Sequence, residues 1–273
     1  MKIALHYRHI DPADRPAFDQ LTNELQHAGI ETVTLHEGDN VSDIDYLLSI
    51  GGDGTLLSAT QLLCHSFSHS LPPILGINFG HLGFLTTAGK ENLATLVGDL
   101  LDGRFTLEER TLLQIQNLEF KIQNSNFALN EVFLHRGDAM SLLRTRVCVN
   151  GEYIATYAGD GVIVATPTGS TAYSLSCGGP ILTPTSRCFV ITPICAHTLT
   201  LRPIIVPDSA VIELSTEEQE FTLGIDSRRH TLSGAVTVEV RCAPFTVNLI
   251  RMNTQNFFSA IRDKLMWGTE VRN

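Results

Sequence analysis

Short apolar runs alternate with helical spacing through the N-terminal part of the chain. Residues 3–7 read as a strand, Phe18, Leu21, Leu25 and Ala28 form one face of a helix that stops at Gly29, and residues 32–35 make a second strand. Residues 46–50 are apolar almost throughout, as in a parallel strand buried on both faces, and residues 55–64 return to helical spacing. Residues 73–78 read as a fourth strand and residues 91–101 as another helix. The order β-α-β-β-α-β-α predicts an α/β domain with a parallel sheet, whose site lies beyond the carboxyl ends of the strands.

From about Arg104 the period changes from 3.6 to 2. Val236, Val238 and Val240 alternate with Thr237, Glu239 and Arg241, and similar alternation predicts a β-rich, sandwich-like region up to Met252. Phe257, Phe258, Ile261 and Leu265 recover helical spacing within residues 254–267. The division is therefore an α/β domain over residues 1–103, a β-rich domain over 104–252, and a C-terminal helix in 253–273 that returns to the α/β domain.

Composition narrows the classes of activity. The 273 residues are 43% hydrophobic and 18% charged, the make-up of a globular enzyme-sized chain. Nineteen Lys and Arg against 29 Asp and Glu give a net charge of −10, which disfavours general binding to nucleic acid or anionic membranes, since both need clustered cations. Anionic ligands must then be held locally. The six cysteines form no Cys-x-x-Cys pair and sit in apolar runs, so reduced, buried thiols are expected. Cys195-x-His197 has no second ligand pair at metal spacing, and no metal ligands are assigned. The N-terminus shows no secretory pattern, and residues 161–186, long but rich in Gly, Thr, Ser and Pro, are too polar to span a bilayer.

The strongest local signal is Gly51-Gly52-Asp53-Gly54-Thr55, between a buried strand and a helix. Glycines bring backbone N–H groups close to a phosphate, and the following helix adds its N-terminal partial charge. The alternative is an Asp-Gly hairpin turn, but Leu56, Leu57, Thr60 and Leu63 continue as a helix rather than a partner strand. Neither the dinucleotide glycine pattern nor the P-loop is present. A carboxylate inside an anion cradle makes sense if Asp53 faces the acceptor hydroxyl, as base or orienting group for phosphoryl transfer. A second signal is residues 159–174, where an apolar strand empties into a run of hydroxyls suited to adenine and ribose edges; the alternative is an ordinary Ser/Thr-rich loop. A third is Asn130-Glu131 inside residues 128–135, which on their own read as a solvated face of an alternating strand.

Together with Gly76-Ile77-Asn78-x-Gly80-His81-Leu82-Gly83-Phe84-Leu85, Gly178-Gly179-Pro180, Pro193-Ile194-Cys195-x-His197 and Arg202-Pro203, these motifs resemble the NAD kinase family over nearly the whole chain. The resemblance implies a Rossmann-like α/β domain, a β-rich domain, and ATP-dependent phosphorylation of the adenosine-ribose 2′-hydroxyl of NAD. It implies Asp53 as catalytic base with Gly52 and Gly54 in its loop, and Leu82 with Phe84 as a wall near adenine. Asn130 and Glu131 would bind NAD, Thr168, Thr171, Ala172 and Tyr173 would line the adenosine site, and Asp160 and Ser176 would face the nicotinamide half, Asp160 across a subunit interface. Three positions depart from many members: Ala158 replaces an arginine, Ala196 a proline, and Asp226-Ser227-Arg228 an Asp-Gly-Gln. Arg228 or Arg229 is a candidate to supply the missing positive charge.

The expected partners are NAD and ATP with Mg²⁺ or another divalent cation, in a cytoplasmic homo-oligomer, a dimer or tetramer with a shared site. Two rival readings are a lipid kinase of the diacylglycerol or sphingosine type, which shares only the first motif, and a non-catalytic NAD(P)-binding regulator, which could lose the base.

Overall fold

A computed structural model describes residues 1–36, 39, 42–66, 70–80, 83–116, 126–137, 141–217, 220–252 and 256–267. The chain forms two compact units, Met1–Glu109 with Val247–Asn273, and Arg110–Thr246.

The first unit begins with β1 (Lys2–His6), α1 (Arg15–His27), β2 (Glu31–Thr34), β3 (Tyr46–Ile50), α2 (Asp53–Ser66), β4 (Ile74–Asn78), β5 (Ala88–Gly89) and α3 (Leu93–Leu101). The strands are parallel, as the alternation of strands and helices predicts, and lie in the order β2-β1-β3-β4, with Ile3 opposite Thr32 and Leu48 opposite Leu75. Helix α1 buries Phe18, Leu21 and Leu25 and ends before Gly29, whose φ of 70° only glycine adopts freely. Leu21 and Leu25 are fully buried, worth about 1.5–3 kcal/mol each. The helix expected over 91–101 starts as a 3₁₀ turn, Lys90–Asn92, before α3.

β6 (Thr106–Gln116) carries the chain into the second unit. There follow β7 (Phe127–Ala128), β8 (Glu131–His135), β9 (Leu143–Val149), β10 (Glu152–Gly159), β11 (Gly161–Ala165), α4 (Tyr173–Ser176), β12 (Cys188–Ile194), β13 (Ile204–Pro207), β14 (Ile212–Thr216), β15 (Phe221–Ile225) and β16 (Arg228–Leu232). β17 (Val236–Arg251) then runs back into the first unit, where Leu249 lies opposite Ile74 of β4. Two antiparallel arrangements make the second unit, β10-β9-β14-β17 and β13-β12-β11-β8-β15-β16. Leu134, Val162, Phe189, Leu214 and Val238 from both share one core, a sandwich.

Strand β8 departs from the expected alternation: Glu131, Val132, Phe133 and Leu134 are all buried, and every residue of β11 is too. Both faces of this sheet are covered, because Phe133, Ile163 and Ala165 pack with Leu182, Val190 and Ile194 on the side away from the sandwich core. Asn130 and Glu131 are therefore not a solvated strand face.

Helix α5 (Phe257–Leu265) is opened by Asn256 and Ser259, whose side chains each accept the other's backbone N–H. Its buried residues are Ala260 and Ile261; Phe258, read above as part of the packing face, is 60% exposed because it sits one residue round from that stripe. The expectation of buried thiols holds for Cys64 and Cys148, whereas Cys195, in left-handed backbone at the end of β12 (φ 43°), is exposed.

Candidate active site

In the first unit, the chain leaves β3 through Gly51 at φ 145°, where a Cβ would stand 2.5 Å from the Thr55 hydroxyl. The Gly52 carbonyl accepts from Thr55 N–H (2.9 Å) and Leu56 N–H (3.3 Å), so α2 begins with Asp53 in its first turn. Each carboxylate oxygen of Asp53 takes one main-chain donor, Phe84 N–H at 2.9 Å and Leu85 N–H at 3.1 Å. The loop that supplies them is tied down by Gly83 N–H donating to Thr86 Oγ1 at 2.6 Å. Gly52 and Gly54 are exposed, and a Cβ on Gly54 would meet nothing within 4 Å. The chain's own packing does not require glycine at 54, so an open backbone there is available to something outside the chain. Phe84 has the Lys264 ammonium 5.9 Å from its ring centroid. Leu82 lies outside the described residues.

The remaining expected residues belong to the second unit. The hydroxyl run packs directly onto the Asn-Glu segment: Thr166 Oγ1 donates to the Leu129 carbonyl (2.6 Å), Thr166 N–H to the Asn130 carbonyl (2.9 Å), and a Cβ on Gly169 would stand 2.1 Å from that same Asn130 oxygen. Thr168 is buried, and its hydroxyl accepts from Nη1 of Arg110 at 3.1 Å. Thr171 Oγ1 donates to the Thr168 carbonyl at 3.2 Å. Ala172 and Tyr173 lead into α4, with the Tyr173 ring edge-on to Phe133 at 5.5 Å; Ser176, at the end of the helix, is exposed. Burial pushes the Tyr173 phenol above its ordinary value.

Asn130 and Glu131 are buried, and neither Oδ1 of the first nor Oε2 of the second has a hydrogen-bond partner among the described residues. Such buried, unmatched oxygens are costly in an empty site and point to a ligand that satisfies them. Glu131 also lines a cavity of about 670 Å³ with Phe133, His135, Tyr173, Asp226 and Arg229. Its carboxyl is pushed up to about 8, by burial first and then by the charge of Asp226.

The sequence alone left three residues without a place here. Asp226, buried and left-handed at φ 51°, accepts the N–H groups of Leu129 (2.9 Å), Asn130 (2.8 Å) and Glu131 (3.2 Å), and so fixes the segment that presents both side chains. Arg110 is 2% exposed and braces the hydroxyl run through Thr168. Arg136 holds Asp160, Nε to Oδ1 at 2.7 Å, and donates its N–H to the Asp160 carbonyl at 2.9 Å. Of the two arginines after Asp226, Arg228 donates to the Phe127 carbonyl at 3.1 Å while Arg229 is exposed at the cavity. The only early signal for any of them was the Asp-Ser-Arg triplet itself.

Comparison with known proteins covers both units. The ATP-NAD kinase N-terminal domain matches residues 14–105 and the ATP-NAD kinase C-terminal domain residues 129–252. The chain is 42% identical over 234 residues to an NAD kinase of Flavobacterium psychrophilum, covering 84% of this chain and 78% of that one. It is 39% identical over 228 residues to an NAD kinase of Sulfurimonas denitrificans, covering 83% and 79%. Among solved structures, yeast NADH kinase complexed with NADH shares the fold at a TM-score of 0.88 and 24% identity, over 100% of this chain and 89% of that one. An NAD kinase from Archaeoglobus fulgidus in complex with ATP aligns at a TM-score of 0.78 and 25% identity, over 96% and 99%.

Proposed function

The chain belongs to the ATP-NAD kinase family, and from that premise we infer that it transfers the γ-phosphate of ATP to the adenosine-ribose 2′-hydroxyl of NAD, giving NADP. The observation that carries the chemistry is the Asp53 carboxylate, aimed by the Phe84 and Leu85 N–H groups and flanked by the open backbone of Gly52 and Gly54. Asp53 accepts the hydroxyl proton as the oxygen–phosphorus bond forms, and the bond from phosphorus to the bridging oxygen of ADP breaks. Because each carboxylate oxygen already takes one main-chain donor, the group is oriented before substrate arrives, yet each keeps a lone pair for the proton.

In the second unit, Asn130 and Glu131 bind NAD through their unmatched oxygens, and Thr168, Thr171, Ala172 and Tyr173 line the adenosine half. Asp160 and Ser176 serve the nicotinamide half. Among the described residues no three His, Cys, Asp or Glu side chains are grouped to hold a metal. A divalent cation would come with the nucleotide, carried by phosphates and water, and would neutralise the charge developing on the transferred group.

The working form is read as a cytoplasmic homo-oligomer in which Asp160 acts on NAD held chiefly by another subunit. The six free thiols suit a reducing compartment. No helix among the described residues is long and apolar enough to cross a membrane. The deciding assay supplies purified protein with NAD, ATP and Mg²⁺ and asks whether glucose-6-phosphate dehydrogenase can reduce the product. Consumption of ATP with no reducible product would refute the assignment.

A further inference from the structure

Two buried carboxyl groups meet where β8 begins, and their surroundings differ. Asp226, 6% exposed, accepts three main-chain N–H groups, a set that holds it as the anion. Glu131, 7% exposed, accepts one, from the Tyr173 backbone, and its Oε2 is buried without a hydrogen-bond partner among the described residues. The two segments are stitched together, since Asp226 N–H also donates to the Glu131 carbonyl at 2.9 Å. A second negative charge here would face the first across low-dielectric protein, and a bare anionic oxygen costs far more to bury than a hydroxyl.

The other groups facing Glu131 do not reverse this. Tyr173 presents a phenol whose own ionisation burial opposes, and Cys177, at the end of α4, presents a thiol whose pKa burial also raises. His135, on the same strand, has its Nδ1 taken by the Gly137 N–H at 3.1 Å. Arg229 is exposed at the cavity, where water screens its charge, while Asp226 sits inside.

We propose that Glu131 meets its ligand as a neutral carboxylic acid, donating the hydrogen of Oε2 to an oxygen of the bound dinucleotide, while Asp226 keeps the negative charge of the pair. The proposal rests on the reading that NAD occupies this unit. It turns Glu131 from an acceptor of ligand hydroxyls into a donor, and it sets the alkaline limit of binding by one proton. The direction in which burial and Asp226 push the Glu131 carboxyl, up to about 8, agrees with the donor count.

Infrared spectroscopy of the unliganded full chain tests the acid itself. The wild type is expected to show, at about pH 6, the carbonyl stretch of a protonated carboxyl that Glu131→Gln lacks, and to lose it as the pH passes about 8. Titrating NAD by calorimetry tests the donation: wild-type affinity falls about tenfold per pH unit above about 8, while Glu131→Gln, whose amide still donates, stays within about threefold of the neutral wild type across the range. Thermal melting confirms that the variant is folded. No Glu131-dependent carboxyl signal below pH 8 overturns the proposal, as does a flat wild-type affinity curve with a Gln variant about tenfold weaker at neutral pH. If NAD binds at no pH, the donation and the proposed function fall together, and the infrared titration alone then decides the neutral acid.

Discussion

Gly83 leaves the space that the Asp53 carboxylate fills: a Cβ on Gly83 would stand 1.7 Å from Oδ1 and 2.4 Å from Cγ. Gly83→Ala must therefore turn Asp53 away from the Phe84 and Leu85 N–H groups. A displacement of about 1 Å in a catalytic group costs on the order of 10²-fold, so turnover should fall by about that much. Steady-state kinetics at saturating NAD and ATP would show it; an alanine variant with wild-type turnover would mean that Asp53 does not depend on this contact.

Asp53→Asn keeps the shape and removes the proton acceptor. Turnover is expected to drop ~10²–10⁴-fold while NAD binding survives. Near-normal turnover of the Asn variant ends the base assignment.

Arg110→Met keeps the volume of the side chain and takes the donor from Thr168. The Thr168 hydroxyl then loses its bracing, and the KM for NAD should rise about tenfold, equivalent to about 1.4 kcal/mol, with a smaller change in kcat. A lower melting temperature with an unchanged KM would make Arg110 a core residue with no influence on the site.

The Glu131 carboxyl, ordinarily at 4.5, lies at about 8 in the folded chain, so the folded state holds a proton that the unfolded chain has released. Its contribution to stability is complete below about pH 4.5, declines by up to about 1.4 kcal/mol per pH unit, and levels off above about 8. Glu131→Gln does not titrate and should gain on the wild type as the pH rises from 5 to 8. Thermal denaturation at both values measures the gap, and a gap that does not widen contradicts the raised value.

Asp160 is held within its own chain by Arg136, whose Nε donates to Oδ1 at 2.7 Å. If sites are shared between subunits, inactive Asp53→Asn and Asp160→Ala proteins should recover activity when mixed under subunit exchange, because some hetero-oligomers hold one intact site. No recovery despite demonstrated exchange removes the action of Asp160 in trans.

How much of this was legible in the sequence depends on the span of each contact. The strand-loop-helix at residues 46–66 was readable because buried strand, glycines and helical spacing are neighbours in the chain. The Asp226 carboxylate reaches Asn130 across 96 positions and Arg110 reaches Thr168 across 58, and no local period records either. Glu131 was misjudged in isolation for a related reason, since burial on the second face of β8 is supplied by residues 163–194, far along the chain. The slip at Phe258 is of another kind: spacing finds a helix but fixes its rotation only to within a residue.

Strand β17 is one 16-residue stretch that leaves the second unit and ends in the first, where Leu249 pairs with Ile74 and Thr87 Oγ1 donates to the Ile250 carbonyl at 2.9 Å. The second unit is continuous in sequence, whereas the first is interrupted by it. During synthesis the ribosome therefore delivers everything the second unit needs before it delivers the last strand of the first. Until β17 is made, the flank of β4 away from β3 has only its short pairing with β5 at Ile77 and Asn78, and its Ile74 end stays open, which is where aggregation or chaperone capture would strike.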